Sequence, residues 1–441
     1  MKKIYFLAAI ALVAGVSCTK QVPVTTQNSQ KVSIAFTPLA QNAGTKANPG
    51  EQTATYSLAN GSGRYESFKA WSVYSDAALT NPTGGVEFFS NITCDPNITN
   101  AAPQYWKMAT KYYWPKSGYL SFHAFSPSDV SGLSHTWGRG FILTDYTVNS
   151  DAASQIDLLY SDYTFNKRHY TGGDDFTSSS GTIDAYDDDD DADGHIYDGV
   201  DIKFNHALAS IAFKVCIDDA AYTSQGHKFT VTKVQVLYPY QSGTFYENRS
   251  TSGIANAYGD ATTPDPALTA SQEQIINVWA AASNNPYWAV AKTELQPTDT
   301  NSDGIFDANT YVAFSGSQLV TETKAGTPHD VKTNAILAMP QSLVHDAAAP
   351  NNHTVSVQVC YDYQYNSGTT YHLKTTVPLY ATGLAGTDAS EAAIADVNKW
   401  LINHKYIYTL NFKLDEIIFD PAVRDFVTVT VNVIDLPEMD S

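Results

Sequence analysis

Short runs with an apolar residue at every second position recur along the chain, and that period constrains the fold more than any other feature. The clearest lies in DFVTVTVNVIDLPEMDS, where Val427, Val429, Val431 and Val433 alternate with Thr or Asn. A period of two puts successive side chains on opposite faces, and Val and Thr both suit a half-buried strand. FKAWSVYS, GYLSFHAFSP, GFILTDYTV, FTVTKVQVLYPY, HTVSVQVCYDYQY, YHLKTTVPLYA and KYIYTLNFKLDEIIF follow the same style between turn residues. The expected fold class is therefore all-β, mainly β-sandwich, with a few short helices. One convincing helix is predicted over 388–403, with Asp388 or Ser390 as N-cap, and shorter helical pieces over 207–212 and 271–282.

A chain of 441 residues suggests about two domains at roughly 150 residues each. Residues 171–199 are rich in Ser, Gly and Asp, with consecutive aspartates at 187–191, a composition that cannot build a core. The boundary is placed there, giving an N-terminal β-sandwich domain over 47–200 and a C-terminal one over 201–441. A formal charge of −19 offers no footprint for phosphate backbones or anionic lipid, so nucleic acid is not an expected partner.

The stretch MKKIYFLAAIALVAGVSCTK has two lysines, an apolar run over 4–16 and then small residues before Cys18. That run is short for a membrane span and has the order of a secretion signal, here residues 1–18. Ser17 and Cys18 look like a bacterial lipobox, in which the cysteine is diacylated and becomes the mature N-terminus. Plain cleavage is the alternative, because Gly15 stands where a larger aliphatic residue is usual. Acyl chains would hold the protein at the outer membrane at about 0.8 kcal/mol per buried methylene. Cys94, Cys216 and Cys360 then remain, read as buried free thiols, with one disulfide as the alternative.

Residues 19–30 form a polar tether, and KVSIAFTPLA follows as a first strand with Val32, Ile34 and Phe36 on one face. QNAGTKANPGEQ after it is an exposed loop of small and turn residues, with Lys46 as its one basic residue.

Six motifs then come in a specific order: YWPKSGYLSFHAFSP (113–127), DLLYSD (157–162), IKFNHALASIAFKV (202–215), GTFYEN (243–248), AILAMPQSL (335–343) and YIYTLNFKLDEIIFDPAVRDF (406–426). Behind a lipobox-like leader, this order resembles the fimbrillin family, lipoprotein pilins and pilus-associated subunits of anaerobic Gram-negative bacteria. The resemblance covers nearly the whole mature chain. It implies two transthyretin-like β-sandwich domains and a place at the cell surface, in fimbriae outside the outer membrane. It also implies protease cleavage in the loop after the first strand, a role that falls here on Lys46, so that residues 19–46 hold the tether, first strand and candidate propeptide. The opened groove would then take a strand from another fimbrillin-like subunit, with 427–433 as candidate donor. The competing expectation is a monomeric surface lipoprotein that binds an extracellular glycan or a host or bacterial surface ligand without polymerising.

No H-E-x-x-H, G-x-S-x-G, Walker loop or dinucleotide fingerprint occurs, so an enzyme is not expected. DTNSDGIFD places Asp299, Asn301, Asp303 and Asp307 at positions 1, 3, 5 and 9 of a calcium-loop pattern, with Gly304 at the turn. DDDADG offers Asp189, Asp191, Asp193 and Gly194 in the same way. Thr310 and Val200 stand where the bidentate acid belongs, so weak calcium binding is the most these loops promise, and no other cofactor is expected.

Overall fold

The computed structural model describes residues 34–40, 67–97, 105–115, 117–167, 200–248, 265–276, 286–323, 326, 328–331, 335–345, 353–380, 397–413, 417–425 and 428–429. Within them the protein is mainly β. The first half supplies β1 (Ala35–Ala40), β2 (Phe68–Ser75), β3 (Val86–Asn97), β4 (Tyr105–Met108), β5 (Tyr119–Ser126), β6 (Leu133–Thr136), β7 (Gly140–Thr147), β8 (Leu159–Ser161), β9 (Thr164–Lys167) and β10 (Val200–His206).

Strands β2, β3, β4, β1, β10, β8 and β5 are hydrogen-bonded in that order, and β5 pairs back onto β2 from Lys69–Phe125 to Ser75–Tyr119. The sheet therefore closes on itself, with β9 added to β5. Its inward faces make one core, from Phe36, Phe68, Trp106, Phe122, Ile202 and Phe204 among others. Rings meet across this interior from strands that are not neighbours, Phe36 with Phe68 at 5.7 Å and Phe68 with Phe204 at 5.6 Å. Wall thus packs on wall, as in a sandwich whose edges have been joined.

The second half supplies β11 (Ala209–Ile217), α1 (Ala220–Ser224), β12 (His227–Leu237), β13 (Ser242–Tyr246), β14 (Gln272–Ile276), β15 (Tyr287–Ala291), β16 (Tyr311–Leu319), β17 (His329–Asp330), β18 (Ile336–Ala338), β19 (Gln341–Ser342), β20 (Ser356–Tyr365), β21 (Thr370–Pro378), β22 (Lys399–Trp400), β23 (His404–Phe412), β24 (Ile417–Asp425) and β25 (Thr428–Val429). One sheet runs β17-β11-β23-β24-β25, with β18 also on β11, and a second runs β16-β12-β20-β21. They face each other across a core in which Phe412 of β23 touches Phe229 of β12 at 5.5 Å and Tyr361 of β20 at 5.2 Å.

A third sheet, β14-β15-β13-β7-β6, joins strands from both halves. Its Phe141 packs on Trp71 of the closed sheet at 5.1 Å, and its Phe245 on Tyr160 at 5.1 Å. Strand β10 crosses the expected boundary at 200/201, and β6 and β7 pair with second-half strands.

Three helical expectations are corrected where residues are described. Ala209 begins β11, because residues 209–211 find antiparallel partners at Ala338, Leu337 and Ile336, and from Ser210 on the strand runs parallel to β23. Residues 272–276 are strand β14, paired with β15. Lys399 and Trp400, at the end of the predicted 388–403 helix, pair with Ser342 and Gln341; residues 388–396 lie outside the described residues. In each case a sheet partner distant in sequence overrides a weak local helix preference. The short helix that does form, α1, is capped by Asp219, whose carboxylate accepts from the Ala221 amide at 2.8 Å.

Candidate assembly site

The first strand is held between two neighbours in the closed sheet. Strand β1 lies between β10, to which it runs parallel from Phe36–Val200 to Ala40–Phe204, and β4, to which it runs antiparallel at Ala35–Lys107 and Phe36–Trp106. Its two large apolar residues are buried, Ile34 at 2% exposed and Phe36 at 0%, as is Ala35 between them. The Phe36 ring meets Phe68 and Phe122 edge-on, and the Ile34 amide donates to the Tyr112 carbonyl at 2.8 Å. These two side chains contribute roughly 3–6 kcal/mol through burial, an upper figure. Each ladder hydrogen bond adds about 0.5–1.5 kcal/mol.

Take β1 away and the closed sheet becomes an open one, with the facing edges of β4 and β10 unpaired and a channel floored by Phe68, Phe122 and Trp106. Cleavage by itself does not expel the strand, since the contacts that hold it are not covalent. Cys18 and Lys46, the expected lipidation and processing residues, lie outside the described residues, on either side of β1 in sequence. A cut at Lys46 would separate Cys18 and β1 together from the rest.

Of the candidate donor strand, Val429 is described with Thr428, and both pair with β24 at Val423 and Arg424 on the edge of their own sheet. Val427, Val431 and Val433 lie outside the described residues.

Behind the closed sheet, at its junction with β7 and β13, sequence reading missed a buried polar network. His123 of β5 is 0% exposed. Its Nε2 lies 3.0 Å from the Ser161 carbonyl and 3.0 Å from Glu247 Oε1, while Nδ1 lies 2.9 Å from His135 Nε2. A carbonyl only accepts, so the proton sits on Nε2 and Nδ1 accepts from His135. Glu247 Oε2 accepts from the Phe141 amide at 2.8 Å. Burial pushes the His123 pKa down to about 3, with the Ser161 carbonyl opposing, and pushes Glu247 well above the usual carboxylate range, with the Phe141 amide opposing. Burial likewise holds His135 well below the usual imidazole value. His123 is sandwiched by Phe141 at 4.1 Å and Tyr163 at 3.9 Å, so the group pins two sheets together.

A second missed cluster lies in the other half. Glu294 receives His345 Nδ1 at 2.6 Å and His353 Nδ1 at 2.9 Å, and Tyr240 and Tyr238 stack on those imidazoles at 3.9 Å each. Burial alone would raise the Glu294 pKa, but the bonds from His345 and His353 more than offset it and the net shift is downward.

No family model matches the chain, and no curated protein matches it. It is similar to solved fimbrial proteins. A fimbrial protein from Bacteroides vulgatus is 16% identical, with 90% of this chain and 99% of that one covered and a TM-score of 0.43. A cell adhesion protein, so described, from Parabacteroides distasonis is 12% identical over 92% of this chain and 95% of that one, at 0.36. The tip fimbrial protein Mfa3 from Porphyromonas gingivalis, with C-terminal truncation, is 8% identical over 89% and 99%, at 0.30.

The remaining sequence candidates are placed as follows. Asp299 accepts from the Ser302 and Gly304 amides at 2.7 Å each, Asp303 from Ile305 at 2.6 Å, and Asp307 from the Thr300 amide at 3.0 Å and hydroxyl at 2.6 Å. Asn301 bridges to Asp303 at 3.0 Å, and the Lys374 ammonium donates to the Asp303 carbonyl. The four residues thus share one turn, in which their side-chain oxygens accept mainly from groups of the loop itself and a lysine holds the Asp303 carbonyl. Among the described residues no three His, Cys, Asp or Glu side chains converge as a metal site. Asp189, Asp191 and Asp193 lie outside the described residues. Cys94, Cys216 and Cys360 are buried thiols that form no disulfide.

Proposed function

We propose that this protein is a fimbrillin-like subunit of cell-surface fimbriae, exported as a lipoprotein through Cys18 and assembled by strand exchange to support adhesion. Its partners on this reading are other subunits of the same kind, and the outer membrane while the lipid is attached. The observation that carries the reading is the seat of β1, a strand that closes a sheet and leaves a strand-shaped channel when removed, with Lys46 following it in sequence. The ordered motifs from residue 113 to residue 426 and the lipobox-like leader support it. The role is structural, with no catalytic residue assigned.

The test is to incubate chain lacking residues 1–18 with a Lys-specific protease and follow it by gel electrophoresis and electron microscopy. Ladders of oligomers that disappear in Lys46→Ala are expected. A clipped chain that stays monomeric at high concentration overturns the assembly reading.

A further inference from the structure

The hairpin formed by β20 and β21 carries its aromatic face past the end of the core. Tyr361, Tyr363 and Tyr365 alternate along β20 and so share one face, which also holds Tyr371 opposite Tyr363, Phe229 opposite Tyr363 on the other side, and His227 opposite Tyr365. Exposure rises along this row: Tyr361 is 7% exposed and Tyr365 49%, and Tyr371 reaches 55%. The rings are not loose. Tyr371 stacks on Tyr363 at 6.3 Å, the Tyr363 hydroxyl is 2.8 Å from His227 Nδ1, and Tyr365 leans on His227 at 4.8 Å. Two half-exposed phenol rings are thereby held at the end of a sheet by a second rank of rings behind them.

The charges of the same strands are elsewhere. Lys228, Asp362, His372 and Lys374 alternate with the aromatic residues and so occupy the opposite face, where His372 and Asp362 pair at 2.6 Å. The ring face therefore offers flat π-surfaces edged by hydroxyls, with no Lys, Arg, Asp or Glu among the residues these strands place on it to recruit an ion. Exposed aromatic surface of this kind, grouped rather than scattered, marks a binding site. An aliphatic protein surface would leave the phenol hydroxyls without use. A sugar ring fits both parts, because its axial C–H bonds are polarised by neighbouring oxygens and lie flat on a π-face, while its hydroxyls reach the phenols.

We propose that the Tyr365–Tyr371 face binds neutral carbohydrate, by stacking pyranose rings on these tyrosines. The proposal deepens the adhesion reading above and rests on it for its biological setting, but not for its chemistry. The experiment uses the unassembled chain, so a failure of sugar binding and a failure of assembly are read separately. Maltohexaose, cellohexaose and mannohexaose, three neutral chains with different C–H faces, are titrated into the protein with calorimetry and saturation-transfer NMR.

At least one is expected to bind, with transfer from tyrosine ring protons. Tyr365→Ala and Tyr371→Ala should each weaken it about tenfold, while Tyr371→Trp retains it. Both side chains are half exposed, and thermal midpoints confirm that the variants fold. No binding of any of the three at millimolar concentration overturns the proposal, as does binding unchanged in the double alanine variant. Concentration-dependent self-association that the double variant abolishes also overturns it, and assigns the face to a second copy of this chain.

Discussion

The Phe36 ring meets the Phe122 ring edge-on across the interior of the closed sheet, with centroids 5.4 Å apart and planes at 84°. Phe36→Ala removes this contact and the one to Phe68 and should destabilise the closed sheet by about 3–5 kcal/mol, measured by urea denaturation. After cleavage in the loop, native chain should keep its N-terminal fragment through gel filtration. The Phe36→Ala chain should shed it, and equal retention by both would show that Phe36 does not hold the strand.

Removal of residues 427–441 should leave a folded monomer that no longer assembles after cleavage. The described part of this segment adds only the pairs at Val423–Val429 and Arg424–Thr428 to the edge of its sheet. A truncated chain that loses its cooperative thermal transition would place the segment in its own fold instead.

Glu247 makes the stability of the protein fall as pH rises. Its folded pKa is raised, so above about pH 4.5 the unfolded chain has released a proton that the folded chain retains. Folding free energy is then lost at about 1.4 kcal/mol per pH unit until the folded pKa is passed. Glu247→Gln should remove this slope from urea midpoints measured above pH 4.5, whatever its effect on absolute stability. His123 and His135, with depressed values, act on the acid side: stability should decline as pH falls below about 6.5, where the unfolded imidazoles take up protons that the buried ones refuse. An unchanged slope in Glu247→Gln would mean that this carboxyl is ionised in the fold.

Glu294→Ala leaves the Nδ1 of His345, a side chain 1% exposed, without its acceptor. A cost of about 1–3 kcal/mol is expected. Because the folded Glu294 pKa is lowered, its contribution is present above about pH 4.5 and lost as pH falls through the folded value, so native and variant midpoints should converge in acid.

In the 299–307 turn, calcium must compete with the Lys374 ammonium. Calorimetry should show tighter Ca²⁺ binding to Lys374→Ala than to the native chain. Equal heats, or none in either, would end the calcium reading of this loop.

Much of the strand content was legible because its signal is local. Tyr361, Tyr363 and Tyr365 alternate in the sequence as they do in space, and Phe36 shares a face with Ile34 at a spacing of two. What was not legible depends on partners far apart. His123 and Glu247 are 124 positions apart, and neither GYLSFHAFSP nor GTFYEN shows which buried partner it awaits. The strand identity of residues 209–211 and 272–276 is likewise supplied by neighbours, since small residues and Gln, Glu and Ile carry little preference against a helix. The exposed tyrosines of the hairpin look like core tyrosines in sequence, and only the end of the opposing sheet separates the two.

The parallel ladder between β1 and β10 also bears on the order in which the sheet can close. Residues 36 and 200 are brought together by no short hairpin, so a chain made from its N-terminus has β1 long before β10 exists. Until then the other strands of the sheet can meet pairwise while Phe36 waits in water, and non-local pairings of this sort form slowly. Strand β1 can be paired on both sides only once β10 is present, and until then the sheet is open at that seam.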